Sequence, residues 1–498
     1  MYTQCNLKYD GYKGEFHGGN VMALYGKKTD LSSASSGGYT GVADVYQLWN
    51  YHARGNGNIG DKPSYTLEQA RDQITRGNIT WNGEKVFGKS VALTYAFLQS
   101  VSDADMPDNF KGFVKFNAAQ IEQAKLALQS WADVANVTFS EVKDDQHATI
   151  QFGNYTLSPD GNTDNNSQAF GFYPGNWKWA GSAWFNYNQA DNQRPDINEF
   201  GRNTLAHEIG HTLGLYHPGD YDASDGNPGY KDVTYAEDTR QFSIMSYWNE
   251  GYTGGDFHGY HAAAPLMDDI AAIQKLYGAN MSIRTGDTVY GFHSTSGRDF
   301  YTATDSKTPL IFSVWDAGGN DTFDFSGYSA NQRISLISGT FSDVGGLKGN
   351  VSIAADAVIE NAIGGSGHDV IVGNLSDNRI DSGAGNDVLY GDGGADILTG
   401  GAGKDIFVYA WEKDSLLSSP DTITDFQRGE DRIDLSAFNK NHDLRFVDNF
   451  SGKGNEVLLN WDSQSHQTNM WLQLSGHDSA DFLVNIVGAA LQPSDFIV

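Results

Sequence analysis

A single cysteine, Cys5, stands in the 498 residues, so no intramolecular disulfide is possible. An exported chain of this kind has to be held together by packing and bound ions instead. No apolar run is long enough to span a bilayer, and the opening MYTQCNLKYDGYKGEF lacks an apolar signal-peptide core of the usual length. Stable membrane insertion is therefore not expected, and export would need another address. Positive charge is scarce too: 33 Lys and Arg against 62 Asp and Glu give a formal net charge of -29, which argues against nucleic acid and anionic membranes as partners. Apolar and aromatic residues are not scarce. Both halves carry enough for real cores, so the length points to two or three domains and not to a disordered chain.

The stretch that organises the rest is NTLAHEIGHTLGLYH, Asn203 to His217. It holds His-Glu-x-x-His-x-x-Gly-x-x-His, a zinc-protease signature. At 3.6 residues per turn His207 and His211 share one helix face and can reach one ion. Glu208 falls beside the metal, where its carboxylate can take a proton from water. Gly214 can adopt the left-handed conformation that ends a helix and brings His217 back as third ligand. Three imidazoles leave a tetrahedral zinc one open position, as catalytic sites do.

From Gly364 to Val408 a nine-residue phase takes over: GGSGHDVIV, GNLSDNRID, SGAGNDVLY, GDGGADILT, GGAGKDIFV. This is the repeat of the calcium-binding parallel β-roll, the RTX repeat. Six residues make a turn and three a short strand, and the apolar eighth places, Ile371, Ile380, Leu389, Leu398 and Phe407, predict a thin stacked core. Such a core is too small to hold alone, so several structural calcium ions are expected to be needed for folding. The candidate ligands are Asp369, Asp387, Asp396 and Asp405, with the turn glycines Gly364, Gly365, Gly367, Gly383, Gly385, Gly393, Gly394, Gly400, Gly401 and Gly403. Glu360 joins at the first turn, and Asp414 and Asp421 at the last. Asn378 replaces the aspartate of the second unit, which puts that turn's site in doubt.

Downstream of the zinc motif, SIMSYW places Met245 and Tyr247 in a short segment that resembles the methionine-turn of the metzincins. TLAHEIGHTLGLYHPGDY followed by VTYAEDTRQFSIMSYW is similar to serralysin, a bacterial secreted protease group, and the likeness runs from about residue 41 to the end. The resemblance implies an α+β metzincin zinc-protease domain followed by an all-β parallel β-roll (RTX) and β-sandwich domain. It implies one catalytic zinc, Met245 as a hydrophobic floor, and Tyr247 as a displaceable zinc ligand that turns to the oxyanion. RTGDT and DAGGND resemble the family's interdomain calcium site, pointing to Arg284, Gly286, Thr288, Asp316, Gly318 and Asp321. Metzincins place a substrate-pairing edge strand just before the zinc helix, so Ala183, Trp184, Phe185 and Asn186 are assigned to substrate binding.

The expected domains are a leader or propeptide at 1–38, a protease domain at 39–280, and a roll with the secretion signal at 281–498. A thiolate cap on the zinc by Cys5 is a further option that the resemblance does not itself supply. Asn117 and Gln120 predict a capped helix, VTFSEV, ATIQFGNY and SAWFNYN predict strands, and APLMDDIAAIQKLYG predicts a closing helix. The terminus Asp495 to Val498 resembles the address read by the type I export machinery of Gram-negative bacteria. The resulting expectation is a monomeric, secreted, extracellular zinc endopeptidase acting on polypeptide substrates, with a small protein inhibitor as a further candidate partner. The competing reading is a calcium-dependent binding or adhesion protein with a non-catalytic zinc site. An RTX lipase finds no Gly-x-Ser-x-Gly motif here.

Overall fold

Asn117 accepts from the Gln120 amide at 2.9 Å and Gln120 returns a bond to the Asn117 amide, so the helix Ala118–Val134 starts where its capping box dictates. Its apolar side, with Ala124, Leu128 and Trp131, is buried. Trp131 donates its indole N–H to the Ala206 carbonyl at 3.0 Å, which backs this helix against the helix Phe200–Thr212. The computed structural model describes residues 2–5 (backbone), 41–143, 145, 147–163, 167–221, 228–439, 443–476 and 479–498. Among these it forms two compact units.

The first unit comprises the N-terminal strand, His52–Ile283 and Ile311–Ala317. Its sheet runs in the order Tyr2–Cys5, Ala169–Phe172, Ser182–Asn186, Ile150–Tyr155, Val91–Phe97, Val137–Glu141. The last four are mutually parallel, whereas Ala169–Phe172 runs antiparallel to Ser182–Asn186. This order corrects the expectation for Ala183, Trp184, Phe185 and Asn186. Their strand is hydrogen-bonded on both sides and fully buried, so it has no edge to offer. The edge belongs to Ala169–Phe172, which the alternation of SAWFNYN could not reveal. On that edge lies the leader itself: Tyr2–Cys5 pairs antiparallel, with Thr3 opposite Gly171. The remaining leader and the Cys5 side chain, with the thiolate cap, lie outside the described residues.

In the second unit the nine-residue phase becomes two sheets. Strands Val370–Val372, Val388–Tyr390 and Ile406–Val408 pair in parallel in one, and Arg379–Asp381 and Ile397–Thr399 in the other, so one coil takes two repeats. Ile371, Ile380, Leu389, Leu398 and Phe407 are all fully buried between them. Glycine is required where the turns stack: a Cβ on Gly403 would sit 1.4 Å from the Gly385 carbonyl oxygen. The helix Val42–Trp49 belongs to this unit, packing Val42, Val45 and Leu48 on Val370, Val372, Val388 and Tyr390. The expected domain boundary at residue 39 places this helix with the protease domain instead.

Candidate active site and cation sites

The helix Phe200–Thr212 ends in a Schellman motif: the Leu215 amide donates to Gly210 at 3.0 Å and the Gly214 amide to His211 at 2.9 Å. Gly214 holds φ +102°, and a Cβ there would stand 2.4 Å from the Ile79 carbonyl oxygen. The reversal brings His217 back to His207 and His211. His211 Nε2 and His217 Nε2 lie 3.1 Å apart, and His217 Nε2 and His207 Nε2 3.3 Å. A tetrahedral zinc with Zn–N bonds of about 2.0–2.1 Å puts its nitrogens about 3.3–3.4 Å apart, so the residues fit the ion.

Each ring is oriented from behind. His207 Nδ1 meets the Ile244 carbonyl at 2.9 Å, His211 Nδ1 that of Leu215 at 2.7 Å, and His217 Nδ1 that of Tyr221 at 2.9 Å. A carbonyl can only accept, so the proton sits on Nδ1 and each Nε2 presents a lone pair. Burial also keeps the rings neutral, pushing His207 down to about 4 and His211 and His217 well below the ordinary range. Among the described residues these three form a metal-ligating cluster.

Glu208 is fully buried next to the first ligand. The edge strand runs against it: a Cβ on Gly171 would lie 2.9 Å from Glu208 Oε2 and 3.1 Å from His211 Cβ. Met245 is fully buried beneath the helix, its sulfur 2.5 Å from where a Cβ on Gly210 would stand. The Tyr247 ring lies beside the cluster, 4.4 Å from the His217 ring and 6.0 Å from His207 between centroids.

Sequence reasoning missed the residues that brace this arrangement. Arg76 donates to the carbonyls of His217 at 2.6 Å and Gly219 at 2.9 Å, fixing the segment of the third ligand. Asp269 accepts from Ser243 Oγ and the Ile244 and Leu266 amides at 2.6, 2.7 and 2.9 Å. Asp238 accepts from Tyr221 and Ser246. Nothing local in DTRQF or LMDD marks these as buried.

The aspartates of the repeats form ladders. The Asp369, Asp387 and Asp405 amides donate to Oδ1 of Asp387, Asp405 and Asp431 at 2.8, 2.9 and 3.1 Å. Asn378 and Asp396 do the same toward Asp396 and Asp421 at 2.8 and 2.9 Å. Among the described residues, Oδ2 of Asp387, Asp396, Asp405 and Asp421 is buried with no hydrogen-bond partner. Burial raises the first three to about 7 and Asp421 to about 9. Buried carboxylate oxygens facing glycine-rich turns fit a hard cation. Asp369 and Asp414 differ. Asp369 Oδ2 accepts from the Gly365 amide at 2.8 Å, and Asp414 accepts from the Ala410 and Trp411 amides and the Tyr390 hydroxyl. Asn378 spends its amide on the Glu360 carbonyl at 2.8 Å. Of the residues expected upstream, Gly286, Thr288, Asp321 and Glu360 come together: the Thr288 amide donates to Asp321 and the Asp321 amide to Glu360, each at 2.7 Å. Arg284 and Gly318 lie in the same unit, and Asp316 in the first.

A three-histidine centre on a helix, with a buried glutamate beside it and a mixed sheet whose antiparallel edge strand runs against that glutamate, defines a zinc metalloendopeptidase. Residues 91–225 match the Matrixin family, and 279–498 match the family described as Peptidase M10 serralysin C terminal. The chain is 94% identical over 477 residues to Serralysin G of Dickeya chrysanthemi, covering 96% of this chain and 100% of that protein. It is 50% identical over 448 residues to Metallopeptidase AprA of Pseudomonas marginalis, covering 88% and 93%. Against Serralysin of Proteus mirabilis it is 46% identical over 464 residues, covering 88% and 93%. The chain belongs to the serralysins, secreted zinc proteases. No helix among the described residues is long and apolar enough to cross a membrane.

Proposed function

We propose that the chain hydrolyses extracellular proteins with Glu208 as general base and Tyr247 as oxyanion donor, and that calcium on the repeats holds the second unit together. The observation that carries the catalytic part is the buried Glu208 beside three neutral imidazoles already at zinc-ligand spacing. Bound zinc lowers the pKa of water to about 7 and polarises the scissile carbonyl. Glu208 takes the proton of the attacking water and hands it to the leaving amine. Tyr247, whose ring lies beside that of His217, would serve as a displaceable ligand to bound zinc and would donate its hydroxyl to the oxyanion during turnover. Substrate backbone adds as a strand to Ala169–Phe172, whose Gly171 abuts Glu208.

The leader then acts as a removable cover. Tyr2–Cys5 takes the pairing positions that an extended substrate needs, which supports a latent form until residues 1–38 are cut away. Calcium, with Asp387, Asp396, Asp405 and Asp421 as its best-suited carboxylates, would make folding depend on the compartment. The terminal strand Phe496–Ile497 is paired with Arg432–Asp434, so type I export machinery would read this address on the chain before it folds.

The test is casein hydrolysis in calcium by wild type and Glu208→Ala at equal zinc content. A loss of about 10²–10⁴-fold in kcat with zinc retained is expected; an active variant would remove Glu208 from the mechanism. Cutting the folded protein after Gly38 should raise activity on long substrates severalfold, and unchanged rates would dismiss the covering strand.

A further inference from the structure

Two segments bring groups to the zinc from outside the helix: the one carrying His217 and the one carrying Tyr247. Neither is regular secondary structure, so their mutual spacing needs a tie.

Asp238 is fully buried between them. Its Oδ1 accepts from the Tyr221 hydroxyl at 2.8 Å and from the Ser246 hydroxyl at 2.7 Å. Tyr221 passes the tie to the third ligand: its carbonyl faces His217 Nδ1 at 2.9 Å, and its ring stacks on His217 with centroids 5.3 Å apart and planes at 11°. The same ring touches that of Tyr247 at 5.0 Å. Ser246 passes it the other way, as the chain neighbour of Tyr247. One carboxylate oxygen thus links, through one residue on each side, the two rings that stand 4.4 Å apart at the metal centre.

Asp269 shows what a purely architectural carboxylate looks like here. It grips the same segment from below and spends its oxygens on two backbone amides and a hydroxyl. Among the described residues Asp238 holds two hydroxyls, and its buried Oδ2 has no hydrogen-bond partner. A buried carboxylate so sparsely satisfied is costly for stability. Its return lies in the geometry it imposes.

We infer that Asp238 is a positioning residue for peptide hydrolysis, fixing the Tyr247 hydroxyl against the His217 side of the zinc through Tyr221 and Ser246. This rests on the reading of Tyr247 as a displaceable ligand and oxyanion donor.

The test uses the full chain with calcium, as the zinc form for kinetics and with copper(II) substituted for spectroscopy, in Asp238→Ala, Asp238→Asn, Tyr247→Phe and the double variant Asp238→Ala with Tyr247→Phe. Asp238→Ala is expected to lower kcat by about 10–100-fold with KM little changed, and to weaken or shift the phenolate-to-copper band. Asp238→Asn, whose amide oxygen accepts the same two hydroxyls, should recover most of both. In the Tyr247→Phe background, loss of Asp238 should cost little more. Should Asp238→Ala fail to fold, Tyr221→Phe breaks the tie from its other end while keeping the ring on His217, and the same pattern is expected of it.

A wild-type kcat and band in Asp238→Ala, or losses in the double variant that simply multiply, would overturn the inference. If wild type has no band for Tyr247→Phe to abolish, the ligand reading of Tyr247 fails instead. The kcat values of the four variants then decide on Asp238 alone.

Discussion

The zinc centre of this chain and the calcium sites proposed on its repeats are built on opposite principles. At the zinc centre the protein has done the organising: three neutral imidazoles, each oriented by a backbone carbonyl, hold their nitrogens at coordination distance. On the proposed reading, the repeats leave work for an ion. Carboxylates are buried in a stack, each satisfied through Oδ1 by an amide of the preceding coil, while among the described residues Oδ2 of Asp387, Asp396, Asp405 and Asp421 makes no hydrogen bond. Preorganisation suits a site that must present one open coordination position to substrate. Incompleteness suits a region whose folding is to be coupled to its ion.

The largest effect should come from removing each cation separately. Calcium chelation at pH 7.5 is expected to abolish the unfolding transition of the second unit in calorimetry. Zinc removal at saturating calcium should lower the transition of the first unit without abolishing it. Equal loss of both, or of neither, would break the contrast.

A finer separation comes from pH. In the folded chain Asp387, Asp396 and Asp405 are raised from 3.8 to about 7, mainly by burial. Between those limits the folded state binds more protons than the unfolded one, so stability of the calcium-free roll is full below the unfolded pKa and is lost as pH rises toward 7. Urea titrations with chelator at pH 4.5 and 7.5 should therefore find the roll more stable in acid. With calcium the order should reverse, because the ion needs ionised ligands. Asp387→Asn sharpens this: it should stabilise the calcium-free roll at pH 7.5 while weakening calcium binding about 10–100-fold. A variant that is destabilised in both states would mean that Asp387 serves the fold and not the ion.

What the sequence made legible follows the same division between local and distant order. His207, His211 and Gly214 are set by one helix and its cap, and Ile371 to Phe407 by one short phase, so spacing alone places them. Strand order is different. Ser182–Asn186 alternates like any half-buried strand, and nothing in AFGF says that Ala169–Phe172 inserts outside it and takes the edge. Val42, Val45 and Leu48 announce an amphipathic helix but not the surface of the roll on which it packs. Asp238 and Asp269 look like solvated loop and helix residues until the fold buries them. The sites were readable wherever a single element builds them, and hidden wherever two elements must meet.

The smallest expected effect probes whether the zinc centre is organised by backbone as claimed. Gly214→Ala touches no ligand, yet it places a Cβ at a residue with φ +102° and 2.4 Å from the Ile79 oxygen. Left-handed backbone costs an L-residue about 1–2 kcal/mol, and the contact adds to it. If the Schellman turn is what returns His217, the chain must shift there, and zinc affinity measured by competition with a chromophoric chelator should fall about tenfold, as about 1.4 kcal/mol requires. In an ion-organised site the metal would pull the third histidine back and the loss would appear only in thermal stability. Lowered affinity with a near-normal melting point of the zinc-loaded protein therefore supports the backbone, and the reverse pattern assigns the organisation to the ion.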